Sequence, residues 1–384
     1  MTALRGRLLV LTLSVLLAAC GGGGGGTPRT LSVVQDDPVY PGEDGLRVGY
    51  MLKTWEYERD GLVLDRIEVL DGDRGAAFAT LVPGTEAMPR RYQDPLPAGA
   101  LPQSGPLGGY FFPIQVQLPA VLPSRVATRL VLHGPGSAGV TVVEGASFVP
   151  RTAPAPVVIA SPLRGRNLIL NNQGSSAYHF DTWWFRDGVP YSGLAYAFDT
   201  MQTNDALTSL MKAGYTDTRD NNAYVNYGQD VYAAADGVVV ELVDGYDDQK
   251  GNAVAEGQGY AITLDNVGGN HLVIRIGDDL YTMYGHLVKG SFGSLKVGDA
   301  VVEGQKLARL GNSGNSTGPH LHFQVMRGRD IFFSRSVPFV LKQFTRTGDL
   351  IGGESVASLT ARRTAPVARA GVMPEPSAIF EVLP

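Results

Sequence analysis

"NSGNSTGPHLHFQV", Asn312 to Val325, sets two histidines one residue apart behind a run of Asn, Ser and Gly. Side chains at i and i+2 of a β-strand point to the same face. The continuation His320-Leu-His-Phe-Gln-Val-Met326 alternates polar with apolar, so it reads as a strand. His320, His322 and Gln324 then share one side, and Leu321, Phe323 and Val325 face the core. Two imidazoles on one face can share a metal, or one can bind metal while the other moves protons. Two polar positions on a solvated face would give the same pattern, so the rest of the chain must decide.

Working outward, short Val/Ile/Leu/Tyr runs separated by Gly, Asp and Asn dominate, while long helical periodicities are scarce; this favours a mainly β protein. A chain of 384 residues has room for two domains. From about residue 31 to 150, runs such as "LRVGYMLKTWEYE", "LVLDRIEVLD" and "TRLVLHG" predict an N-terminal β-sandwich-like accessory domain without a catalytic cluster. His133 beside Gly134-Pro135 reads as a surface turn residue. The Pro-rich "VPRTAPAPVV" reads as a linker, residues 157–344 as a second β-rich domain, and 345–384 as a low-complexity, mostly disordered tail. The net charge of −5 offers no basic surface for nucleic acid.

The amino terminus reads as a targeting segment. Arg5 and Arg7 precede "LLVLTLSVLLAAC", too short to span a bilayer as a mature helix. Leu17-Ala18-Ala19-Cys20 resembles a bacterial lipobox. The resemblance implies a signal peptide over 1–19, lipidation of Cys20, and a Gly-rich tether over 20–30. Cys20 is the only cysteine, so no internal disulfide can form. Gly21 after Cys20, by resemblance to enterobacterial sorting, points to the outer membrane, on its periplasmic side or at the cell surface.

In the second domain "DVYAAADGVVVELVD", "LYTMYGHLVKG" and "LKVGDAVVEGQKLARLGNSGNSTGPHLHFQV" together resemble the lysostaphin-type zinc endopeptidases of the M23 peptidase family. The resemblance spans most of Gln229 to Met326. A lone G-D-x-V-x-x-G-Q is shared with lipoyl and biotinyl carriers, but these need a lysine in a tight hairpin turn, and none stands there. The resemblance implies an antiparallel sheet with a groove, and a zinc metallopeptidase cutting the peptides of peptidoglycan. It makes His322 and the Asp199 of "LAYAFDT" zinc ligands, and His320 and the His286 of "MYGHL" catalytic.

One position departs from the pattern. The commonest arrangement in the family has a histidine four residues before the aspartate, where this chain has Ala195. Catalytic zinc usually has three protein ligands and an open position. Some members place that histidine farther upstream, across a loop. His179 is the only histidine between the linker and Asp199, and Gly188, Pro190 and Gly193 suit a chain reversal between them. His133 lies in the other domain and His271 at the turn end of a separate strand, so His179 is the expected third ligand. His271 itself reads as structural, Trp183 and Trp184 as buried aromatics before groove liners, and "DGYDDQKG" as a solvated insertion without EF-hand spacing. Two other functions stay open: a catalytically inactive wall scaffold or activator of another hydrolase, and a secreted protease acting on Gly-rich proteins. A cell-envelope protein regulator is a further candidate partner.

Overall fold

The computed structural model describes residues 29–85, 91–93, 109–134, 139–170, 179, 182–186, 189–251, 253–254 and 257–383. Cys20, the signal segment and most of the tether lie outside these residues. Strands dominate the described chain, as the short apolar runs predict; the helical pieces include the 3-10 turns Tyr57–Asp60 and Asn221–Ala223.

The accessory region folds into two antiparallel sheets. A 5-stranded sheet is centred on Gly45–Thr54 and Tyr110–Gln117, and a 4-stranded sheet on Val63–Asp71 and Val126–His133. Alternate residues of both enclose one core that includes Val48, Tyr50, Leu52, Ile67, Val69, Phe112, Ile114 and Leu130. His133 is not a turn residue. It ends the strand Val126–His133, and its Nδ1 lies 2.5 Å from Asp65 Oδ1.

The second domain is built on an 11-stranded sheet, antiparallel at each described pairing. Its middle runs Asn270–Gly277, Leu280–Leu287, Leu321–Arg327, Phe198–Gln202 and Gly165–Leu170. Leu321, Phe323 and Val325 are fully buried in the main core with Phe198, Tyr284 and Leu272, as the alternation requires. The opposite face carries Asp199, His322 and Gln324 and is also buried, not solvated.

The expected disordered tail is instead part of this sheet. Phe344–Ser355 and Ser358–Arg369 form a long hairpin, and Ala378–Val382 bridges it to Gly165–Leu170. Small residues and Thr/Arg hide such strands from a composition test, because the hairpin's outer strand is largely exposed. Phe344, Leu359, Ile379 and Phe380 supply enough buried apolar surface to anchor it. Arg346 and Arg362 add ion pairs to Asp349.

Candidate metal centre

Strand register brings the chemistry together. Asp199 and His322 are direct partners on neighbouring strands, and Gly285 is the partner of His322 on the other side. Cross-strand partners lie within side-chain reach of one another. His322 Nδ1 is 3.0 Å from Asp199 Oδ1, and His179 Nε2 is 3.0 Å from Asp199 Oδ2. Donor atoms of His179, Asp199 and His322 all lie within 4.8 Å of one another, and the three residues are buried. His179 thus reaches the pocket, and Trp184–Arg186 pairs antiparallel with Val189–Tyr191 between it and Asp199.

His286 joins by a route the sequence did not reveal. Tyr284 faces the core, so plain alternation would send His286 there too. Instead His286 has φ 60°, left-handed backbone that a non-glycine residue adopts at a cost. Its ring lies 4.6 Å from that of His320 and 5.9 Å from that of His322, on the site's side. His320 stands just ahead of its strand, with Nε2 3.4 Å from Asp199 Oδ2.

The turn before the His-x-His pair is fastened at many points. Asn312 N donates to Asp248 Oδ1, and Asn312 Nδ2 to Gln249 O and Asn221 Oδ1. Ser313 Oγ donates to Leu287 O, and Asn226 Nδ2 to Pro319 O. Asp248 also accepts from Tyr227 Oη, so the acidic insertion is docked here and not merely solvated. This fixes Ser313 O, which takes a hydrogen bond from His286 Nδ1 at 2.7 Å, and Gly318 O, which takes one from His320 Nδ1 at 2.8 Å.

Carbonyl oxygens only accept, so both imidazoles carry their hydrogen on Nδ1 and turn a bare Nε2 away from the turn. Burial, helped by the neighbouring His320 and His322, holds His286 well below its ordinary pKa. Burial lowers His320 also, against the opposing pull of Asp199. For His322 burial is outweighed by the bond to Asp199, and its pKa is raised. Burial by itself would raise Asp199, but the facing His179, His320 and His322 hold its carboxyl well below the usual range.

The set can hold a metal ion: one donor atom from each of the three residues lies within 4.8 Å of the other two, a cluster that closure onto a tetrahedral zinc would tighten to roughly 3.3 Å between donors. Two imidazole nitrogens converging on one buried carboxylate each need an N–H hydrogen or a shared metal ion facing it.

Trp183 and Trp184 are buried. His271 is buried, with Nδ1 2.8 Å from Gly269 O and Nε2 3.3 Å from Glu241 Oε1, away from the three-donor set.

The profile of peptidase family M23 matches residues 222–332. Those residues form an M23 peptidase domain. The matched span includes His286, His320 and His322; His179 and Asp199 precede it. Over 105 residues, 27% of this chain and 19% of the relative, the domain is 35% identical to the peptidoglycan DD-endopeptidase ShyA of Vibrio cholerae. It is 34% identical over 100 residues to an uncharacterized metalloprotease of Haemophilus influenzae, covering 26% of this chain and 16% of that one. The chain therefore spans less than a fifth of either relative's length. Among solved structures, the catalytic domain of lysostaphin from Staphylococcus simulans matches at 25% identity over 34% of this chain and 84% of its own, with a TM-score of 0.21.

Proposed function

We propose that this chain is a zinc metallopeptidase that hydrolyses peptide bonds in the stems or cross-links of peptidoglycan. The observation that carries the reading is the buried convergence of His179 and His322 on Asp199, with two further histidines beside it. His179, Asp199 and His322 would hold the metal. When bound, zinc supplies Lewis-acid polarisation of a carbonyl and acidification of water. The similarity to a peptidoglycan endopeptidase supports the substrate class.

The chain's own residues divide the proton work. With Nδ1–H committed to Gly318 O, His320 accepts at Nε2, and Asp199 stands 3.4 Å away to stabilise the resulting imidazolium. It is assigned as the general base that later returns the proton to the leaving amine. His286, with Nδ1–H committed to Ser313 O, offers a second acceptor that orients the attacking water. This narrows the sequence expectation, which left the two roles open.

Location belongs to the same proposal. A lipidated Cys20 would hold the domain on an envelope membrane, within reach of the wall. Among the described residues no helix is long and apolar enough to cross a membrane.

The test is digestion of purified sacculi by the zinc-loaded chain, with released peptides sequenced by mass spectrometry. New amine and carboxyl termini that vanish with a chelator are expected. Cleavage of Gly-rich proteins with intact sacculi would shift the substrate class, and a zinc-loaded chain inert on both would favour the scaffold or activator.

A further inference from the structure

Gln324, two residues beyond His322, is fully buried and makes polar contacts on both ends of its amide. Its Nε2 lies 3.1 Å from Gly193 O and 3.1 Å from Ile331 O, with Met326 Sδ at 3.2 Å. Its Oε1 lies 2.9 Å from His322 Nε2. The orientation of the amide is forced: two carbonyl oxygens only accept, so the NH2 end must face them. The opposite orientation would set three acceptors against one another in a buried site.

With the amide fixed, the next assignment is forced as well. An amide oxygen cannot donate, so His322 Nε2 must carry a hydrogen. In the neutral ring Nδ1 is then a lone pair, 3.0 Å from Asp199 Oδ1. The two carbonyls that set this order come from segments packed at closest approach. A Cβ added to Gly193 would sit 2.6 Å from Phe332 O and 2.7 Å from Ile331 O. Packing of Trp184 on Phe332 and of Tyr191 on Phe333 ties the same segments together.

We infer that Gln324 is a positioning residue: it fixes the His322 imidazole in the Nε2–H tautomer, leaving Nδ1 as the donor turned to Asp199 and the metal. A second hydrogen-bond partner that sets the tautomer and aim of a ligating histidine commonly contributes about 10–100-fold to metal affinity. The inference rests on the proposed ligand set of His179, Asp199 and His322.

The test uses the full chain and needs no turnover. Long-range 1H–15N spectra of the zinc-loaded, histidine-labelled protein, assigned against His322→Ala, should show His322 protonated at Nε2. Zinc affinity by chelator competition should fall roughly 10–100-fold in Gln324→Met, which has similar length and no strong acceptor. Gln324→Glu keeps an acceptor for His322 Nε2 and, as the neutral acid that burial beside two carbonyls favours, an O–H for one of those carbonyls, so it should stay within a few-fold of wild type. A wild-type His322 protonated at Nδ1 overturns the inference, whether or not the variants fold. So does a Met variant that binds zinc as tightly as wild type. A Glu variant as weak as the Met variant also overturns it, because the loss would then follow the carbonyl ties and not the tautomer. A wild-type chain that takes up no zinc sinks the ligand set itself, which separates that failure from this one.

Discussion

His179→Ala is the most demanding test of the metal centre, because His179 lies outside the span that matches the family and far in sequence from Asp199. Its Nε2 is 3.0 Å from Asp199 Oδ2, and its ring is 5.1 Å from that of His322. Truncation removes one of three protein donors. The loss in zinc affinity should exceed the 10–100-fold typical of an outer-shell partner, so at least about 100-fold is expected, or roughly 3 kcal/mol. The fold should suffer less. Asp199 loses one partner but keeps His322 at 3.0 Å, so the penalty belongs within the roughly 1–3 kcal/mol for a deprived buried acceptor. Equilibrium dialysis against a zinc buffer gives the first quantity, and urea unfolding in excess chelator gives the second. A variant that holds zinc as tightly as wild type would remove His179 from the ligand set. A variant that loses zinc only because it is unfolded in chelator would show His179 to be a structural residue.

Three further outcomes are expected. His286→Ala and His320→Ala should each keep about one zinc per chain while turnover falls roughly 10²-fold or more; a folded, metal-free variant would place that residue among the ligands. Glu241, which faces His271 and Arg329, has its carboxyl held below the ordinary 4.5, first by the His271 hydrogen bond and, against burial, by the His271 and Arg329 charges. A depressed carboxylate stabilises the fold above its unfolded value, and the gain is lost as pH falls through the folded value; melting curves of Glu241→Gln should therefore lose less stability than wild type between about pH 5 and pH 3, by under about 1 kcal/mol for this partly exposed pair. Cys20→Ser should abolish fatty-acid labelling and release the chain from the membrane fraction; retained label would refute the anchor.

Much of this was legible in the sequence because the signals were periodic. The alternation around His322 gives both the core residues Leu321, Phe323 and Val325 and the shared face of His322 and Gln324. The placing of His179 beside Asp199 was reachable only through the family resemblance, which implies a third donor where this chain has Ala195. What escaped was aperiodic. His286 arrives through one left-handed residue, and no alternation rule predicts that. Asp248 supports the His320 turn across a separation of 64 residues, a contact set by tertiary packing alone. The 345–384 strands escaped for the opposite reason. Their side chains are small and largely solvated, so pairing of backbone, not burial of side chains, defines most of them.

The Pro-rich connector also proves to be more than a spacer, and this bears on how the site is held. Arg151 O accepts from Val39 N, and the Arg151 guanidinium pairs with Asp36, so the connector is tied down along the accessory region. Val157–Ile159 then pairs in parallel with Phe339–Leu341 of the second domain. Between the two units Asp37 is fully buried, accepting from Tyr196 Oη at 2.9 Å and pairing with Arg335 at 3.0 Å. Gln35 donates to Ser192 Oγ, which also accepts from Ser336 N. Ser192 and Tyr196 flank Gly193, whose carbonyl orients Gln324, and they lead directly into the Asp199 strand. Only the Asp37 side of this pair is buried, so solvent around the half-exposed Arg335 screens it and its net contribution is small, yet removing Arg335 would leave the carboxylate buried with neutral partners alone. Its consequence here is geometric. The segment entering the metal centre is gripped from one side by Gln324 and from the other by Asp37, so the accessory region forms part of the frame that sets Asp199 opposite His322.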